Sequence, residues 1–391
     1  MFGRRFDLFR AFGIPIRVDV SWFMVAVLIS WSMASMYSTW LPGLTAGSYW
    51  AMGIAWALGL FASIVLHELG HALTARRFGV GMDGITLFIF GGVAEMRSEP
   101  PSAKAEFWVA VAGPAVSVVL AVVFWVSAVT LGGLEIGERG GSYLLSSDGP
   151  VWATATLAVI WFLAIMNGML VVFNMIPAFP LDGGRVLRSV IWGVKGDLKR
   201  ATEITSNIGS AFGLFLIVIG VLRFINGDMF GGIWSGMIGW FLRQAASGSY
   251  QHLLLRRALE GETVSRFMQR DVVTVEPGLN VKEFVENVVY RFHYKMYPVV
   301  EDGRLVGCVT TRRIKVLDRG AWETMPLREV MEPCDESNSI GPDADAMTAL
   351  ARMNRGKVSR LMVTSEGRLM GIVSLKDLLG FMAMRVELGE E

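Results

Sequence analysis

His67, Glu68 and His71 stand close together in Val65-Leu66-His67-Glu68-Leu69-Gly70-His71, inside a long apolar run. Residues at i and i+4 share one helix face, so the two imidazoles suit a single metal ion. Glu68, one position along, is placed to take a proton from a water at that ion. The chain holds only 4 His, and two of them fall in this spacing within an apolar segment. That coincidence favours metal chemistry over two histidines satisfied by helix carbonyls with Glu68 paired to a distant arginine. A hydrolytic zinc site takes three protein ligands and a water. Asp182, in Asn174-Met175-Ile176-Pro177-Ala178-Phe179-Pro180-Leu181-Asp182-Gly183-Gly184-Arg185, is the only acidic residue between Asp148 and Asp197. Two prolines hold this stretch extended, and Gly183-Gly184 lets backbone approach closely before a helix resumes. Asp182 therefore reads either as the third ligand or as the cap of that helix.

The elements that must carry these residues lie in a membrane. Of 391 residues, 53% are hydrophobic and 18% charged, against about 25% charged in ordinary soluble domains. The deficit is confined to the part before about residue 250; beyond about residue 260 the chain reads as a soluble module. Net charge is +1, with no polybasic tract to argue for nucleic acid. Five segments meet or approach the roughly 20 residues of a spanning helix: Val18 to Trp40, Tyr49 to Phe78, Phe107 to Leu131, Val151 to Met175 and Ala201 to Leu222. The first is long and has no small-residue cleavage site after it, unlike a cleavable signal peptide. A sixth, Gly231 to Gln244, is shorter and Gly-rich, and is counted as crossing for parity.

Basic residues set the orientation. Arg4, Arg5, Arg10, Arg17, Arg76, Arg77, Arg97, Lys104, Arg185, Arg188, Lys195, Lys199, Arg200, Arg243, Arg256 and Arg257 fall on one side, against only Arg139 and Arg223 on the other. Both termini and the soluble half are thus expected in the cytoplasm, with the chain multi-pass in the cytoplasmic (inner) membrane. His71 precedes Arg76 by five residues, about 8 Å along a helix, so the metal dips just beneath the cytoplasmic face.

HELGH in a span, PxxPLDGGR after a later span and an FGG segment between them are together similar to the site-2 protease family of intramembrane zinc metalloproteases, over roughly residues 15 to 245. The resemblance implies His67, His71 and Asp182 as zinc ligands, Glu68 as general base, and Asn174 as a polar group near the cleft. Asn174 either hydrogen-bonds the substrate or oxyanion, or satisfies the broken helix backbone. Thr86 to Met96 has β-type residues around Gly91-Gly92 and is expected to form a small hairpin near the membrane surface. In the family such a strand lies beside the cleft and takes an extended substrate at its edge; a packed re-entrant loop is the other reading. Ala112-Gly113-Pro114-Ala115-Val116-Ser117 resembles a family motif that often ends in Asn. Ser117 departs from it, and small-residue helix packing is the expected use of the stretch.

The soluble half repeats internally. Val264-Ser265-Arg266-Phe267-Met268 aligns with Leu327-Arg328-Glu329-Val330-Met331, and Tyr297 to Gly307 aligns with Leu361 to Gly371. It resembles a tandem cystathionine-β-synthase-type (CBS) pair. Such pairs often bind adenosine nucleotides through a Ser/Thr and an Asp three residues later. The second unit has Ser374 and Asp377; the first has Thr310 but Arg313 where the Asp would stand. Ser374 and Asp377 also read as a helix cap with a first-turn acid. His252 and His293 are expected to be ordinary surface or interdomain residues, and Cys308 and Cys334 free thiols suited to a reducing compartment.

The expected fold is a polytopic α-helical membrane protein of about six spans with a hairpin near the active site, followed by a soluble α/β CBS pair. The expected domains are residues 1–247, a connector over 248–262, and repeats over 263–320 and 326–384. The 19 residues from Gly132 to Pro150 are too few for an inserted PDZ domain. The function expected is an intramembrane zinc endopeptidase acting on a membrane-anchored protein such as a transcriptional regulator. Its cofactor is Zn2+, ATP or AMP binds the CBS pair, lipid surrounds it, and it assembles as a homo-oligomer through the CBS units. A CBS-gated transporter would instead spread intramembrane charge along several spans. An inactive scaffold would not keep the full ligand set with Glu68.

Overall fold

The computed structural model describes residues 5–89, 91–132, 135–139, 142–146, 150–259 and 261–387; Arg4, Phe90, Glu260 and part of the 132–150 loop lie outside the described residues. The chain forms two compact units, Met1–Tyr250 and Gln251–Glu391. In order, the first contains β1 Arg5–Ala11, β2 Ile14–Asp19, α1 Val20–Trp40, α2 Ala46–Arg77, β3 Met82–Phe88, β4 Gly91–Met96, α3 Ala103–Gly132, β5 Glu135–Arg139, β6 Ser142–Ser146, α4 Val151–Asn174, α5 Asp182–Lys195 and α6 Leu198–Ile225. α7 Met229–Leu259 follows and continues past Tyr250.

Among the described residues, five helices, α1, α2, α3, α4 and α6, are long and apolar enough to cross a membrane. α7 is not one of them, although it is long, because its first half substitutes glycine for apolar side chains. A Cβ on Gly239 would lie 2.4 Å from the Gly213 carbonyl, and one on Gly220 would lie 2.7 Å from that of Gly232. The first half of α7 therefore runs antiparallel to α6 with the two backbones in contact, the close approach that small residues permit in membrane helices. The segment from Gly231 to Gln244 and the 248–262 stretch up to Leu259 belong to one continuous helix rather than to a short span and a separate linker.

The hairpin of β3 and β4 is half of a four-stranded sheet in the order β1-β2-β3-β4. β2 pairs parallel with β3, Ile16 opposite Ile85; β1 with β2 and β3 with β4 are antiparallel. Ile14, Ile16 and Val18 alternate inward along β2 and pack with Ile85 and Leu87 on Val65, Leu69 and Ala72 of α2. Those α2 positions recur at i, i+4 and i+7, one stripe of the helix. The sheet is thus fixed to the helix that carries His67, Glu68 and His71. β4 is left at the sheet edge.

The second unit holds two three-stranded sheets. The first consists of β7 Met296–Glu301, β8 Arg304–Thr310 and β9 Glu332–Pro333; the second consists of β10 Ser339–Ile340, β11 Arg360–Ser365 and β12 Arg368–Ser374. Each has a hairpin whose two turn residues have positive φ, Asp302-Gly303 and Glu366-Gly367, as tight hairpin turns require. The repeats complete each other. Gln269, before the first hairpin, bridges Ile372 of β12, while Glu332 of β9 pairs with Cys308 of β8.

Candidate metal centre

His67 and His71 occupy one face of α2, and both are buried. α3 lies against that face: a Cβ on Gly70 would stand 2.9 Å from the Ala112 carbonyl. α3 also grips both rings from behind. His71 Nδ1 is 2.6 Å from the Val109 carbonyl, so it donates and leaves Nε2 as a lone pair. His67 Nδ1 is 2.9 Å from Ser117 Oγ. Ser117, expected to serve helix packing, is therefore a partner of His67. Gly113 lies between these two contacts: a Cβ there would stand 2.2 Å from His71 Nε2 and 2.7 Å from His67 Nε2, so no side chain fits.

Asp182 comes from the other end of the unit. After α4 closes at Asn174, the chain turns through 175–181, with a cis Phe179-Pro180 bond, and α5 begins at Asp182. Gly183 and Gly184 are required by contact with the loop's own backbone. Their Cβ atoms would lie 2.3 Å from the Met175 carbonyl oxygen and 2.3 Å from the Phe179 nitrogen. Asp182 Oδ2 is 3.1 Å from His67 Nε2 and 3.2 Å from His71 Nε2, and the two Nε2 atoms are 3.2 Å apart. Leu181, not Asp182, sits at the helix-cap position, and no side-chain cap bond forms there.

The donor set fits a zinc ion. His71's ring proton is committed to Val109, and its Nε2 faces a second imidazole nitrogen and a carboxylate, a concentration of acceptors that calls for a cation. Tetrahedral zinc with ligands at ~2.0–2.1 Å separates them by about 3.3 Å, close to the 3.1–3.2 Å found here. His67, His71 and Asp182 form the one such His/Cys/Asp/Glu cluster among the described residues. Glu68 is half-buried beside it, against the start of β4: a Cβ on Gly92 would lie 2.6 Å from Glu68 Cγ and 3.0 Å from Oε1. Gly91, with φ 129°, opens the strand. Asn174 is half-buried at the end of α4 and is not among the hydrogen-bond partners of the cluster.

The candidate nucleotide residues belong to the second unit. Ser374 Oγ donates to Asp377 Oδ2 at 2.6 Å and accepts from the Asp377 amide, a reciprocal cap at the end of β12. The other Asp377 oxygen accepts from Gln269 Nε2 at 3.0 Å. Thr310 caps the turn after β8 through the Arg313 amide, and Arg313 approaches Glu332 at 3.9 Å. His293 is an exposed residue with φ 58°. Cys308 is buried, and burial pushes its thiol up to about 12, which keeps it protonated and unreactive.

Residues 55–218 match the family profile described as Peptidase family M50, and residues 264–317 and 323–384 each match that of a CBS domain. The chain is 32% identical over 370 residues to the protein Rip3 of Mycobacterium tuberculosis (strain Erdman), covering 94% of this chain and 90% of that one. It is 30% identical over 390 residues to zinc metalloprotease MJ0392 of Methanocaldococcus jannaschii, covering 98% and 97%. Among solved structures, the site-2 protease from Methanocaldococcus jannaschii aligns at 26% identity and a TM-score of 0.42, over 63% of this chain and 95% of that one.

Proposed function

Because the chain belongs to peptidase family M50, the site-2 proteases, and is a multi-pass zinc metalloprotease with a CBS pair, we propose that His67, His71 and Asp182 hold its zinc and that Glu68 is its general base. What supports this reading most is the meeting of two Nε2 atoms and one carboxylate at 3.1–3.2 Å while each Nδ1 is engaged from behind. Zinc, when bound, supplies a Lewis acid that lowers the pKa of a water toward ~7 and polarises a carbonyl. Glu68 takes the proton of the attacking water as the new C–O bond forms, and gives it to the amine nitrogen as the C–N bond breaks. A helix hides its carbonyls, so the substrate segment must first unwind. The β4 edge offers backbone for it to pair with, and the bare backbone of Gly92 lets that edge lie directly against Glu68, with Gly91 beside it. Asn174 is assigned to the backbone of the bound peptide.

The substrate in this reading is a membrane-anchored protein, such as a transcriptional regulator released to the cytoplasm. The enzyme lies in the cytoplasmic membrane with both termini in the cytoplasm. His67→Ala, His71→Ala and Asp182→Ala should each lose zinc, with Asp182→Ala keeping at most a weak two-histidine site. Metal analysis of the purified protein, alongside cleavage of a single-span substrate, checks this. Full zinc occupancy in Asp182→Ala would show that the third ligand lies elsewhere.

The CBS pair is proposed to bind ATP or AMP at Ser374 and Asp377 and to assemble the chain as a homo-oligomer. Asp377 can accept from a ribose hydroxyl in place of Gln269. Arg313, at the matching position beside Thr310, cannot accept and favours phosphate. Calorimetric titration should give a heat for wild type that Asp377→Ala removes, with cleavage changing in parallel. Absence of binding to wild type would leave the pair as an assembly module. Binding without altered cleavage would overturn regulation alone, since control requires two arrangements that differ in nucleotide affinity.

A further inference from the structure

Arg188 lies on α5, six residues beyond Asp182, and is 4% exposed. Its Nε donates to Glu106 Oε1 at 2.6 Å and its Nη2 to Glu99 Oε2 at 3.1 Å, while its Cζ stands 5.2 Å from the centre of the Phe179 ring. Glu106 is fully buried, and its second oxygen has no partner among the described residues. Glu99 sits between β4 and α3 with about a third of its side chain exposed.

Glu106 belongs to the face of α3 that serves the centre. Glu106, Val109, Gly113 and Ser117 recur at i, i+3, i+7 and i+11. One helix face thus holds α5 through Glu106 and both histidines through Val109 and Ser117. Phe179 belongs to the loop that delivers Asp182, and its carbonyl oxygen is fixed against α6, where a Cβ on Gly209 would lie 1.8 Å away. Burying an ion pair adds little net stability, because desolvation offsets the attraction, and the unpartnered Glu106 oxygen adds a further cost. What the pair does supply is direction, since the planar guanidinium fork fixes the height and rotation of α5 against α3.

We infer that Arg188 is the positioning residue of Asp182, holding the carboxylate, through Glu106 on one side and Phe179 on the other, at the distance where both Nε2 atoms meet it. The inference rests on the reading of Asp182 as a zinc ligand. The decisive variant is Arg188→Met/Glu106→Leu in the full chain, which replaces the buried pair by apolar groups and leaves Glu99 to solvent. Its thermal midpoint without metal should match or exceed that of wild type. Its zinc should pass to a competing chelator about 10- to 100-fold faster, and kcat should fall by a similar factor with KM unchanged. A structural role alone would give wild-type zinc retention and kcat once the protein folds, and that result overturns the inference. If the double variant does not fold, Glu106→Gln with Arg188 intact decides: it should release zinc at least about 5-fold faster, and release at the wild-type rate overturns the inference. Wild-type protein that binds no zinc would overturn the metal reading itself, a separate outcome.

Discussion

Glu68→Gln leaves zinc at one per chain and lowers peptide-bond hydrolysis by about 10²–10⁴-fold. The amide has the shape of the carboxylate, so its packing against the bare backbone of Gly92 survives. It cannot accept the proton that the attacking water must lose. The metal is expected to stay because the cluster of His67, His71 and Asp182 does not include Glu68. Elemental analysis and cleavage of a single-span substrate, run on the same preparation, separate the two effects. Near-normal turnover would remove Glu68 from the mechanism.

Gly113→Ala should be as damaging by a different route. The new methyl would stand 2.2 Å from His71 Nε2 and 2.7 Å from His67 Nε2. Either the rings rotate away from Asp182 or α3 retreats, and retreat withdraws Val109 and Ser117 from the Nδ1 atoms as well. Zinc affinity should fall by about 100-fold or more. The helix itself gains, since alanine is favoured over glycine in a helix interior by about 1 kcal/mol, so metal loss need not come from unfolding. Gly168→Ala in α4, where a Cβ meets nothing within 4 Å, is the matched control and should keep its zinc. Equal zinc binding by Gly113→Ala and Gly168→Ala would show that α3 does not shape the centre.

The members of the cluster were legible in the sequence because imidazoles four residues apart and an isolated carboxylate stand out in an apolar chain. What surrounds them was not. Gly113 acts by lacking a side chain and Val109 by its carbonyl, and neither leaves a mark in a run of small apolar residues. Ser117 reads as packing until its distance to His67 is known. Arg188 enters the count of basic residues that sets orientation, yet it is buried against Glu106, a partner 82 residues away in the chain that no local pattern reveals. The N-terminal strands carried a usable signal, the alternation of Ile14, Ile16 and Val18. The pairing of Ile16 with Ile85 joins distant segments that no local pattern connects. The short Gly-rich segment understated α7 because hydropathy records apolar side chains, and its helix packs through their absence.

The exchange of strands between the two CBS repeats bears on how that unit folds. Without Glu332 and Pro333, the first sheet keeps only β7 and β8 of its three strands. Without Gln269, the second loses its bridge to Ile372 and the donor to Asp377. Each sheet is thus completed from the other repeat, although each repeat recurs as a block in the sequence. The contact of residue 269 with residue 372 joins segments far apart in the chain, the kind of contact whose loop-closure entropy slows folding. Cooperativity in this half is therefore a property of the pair, and damage at either repeat is felt in both.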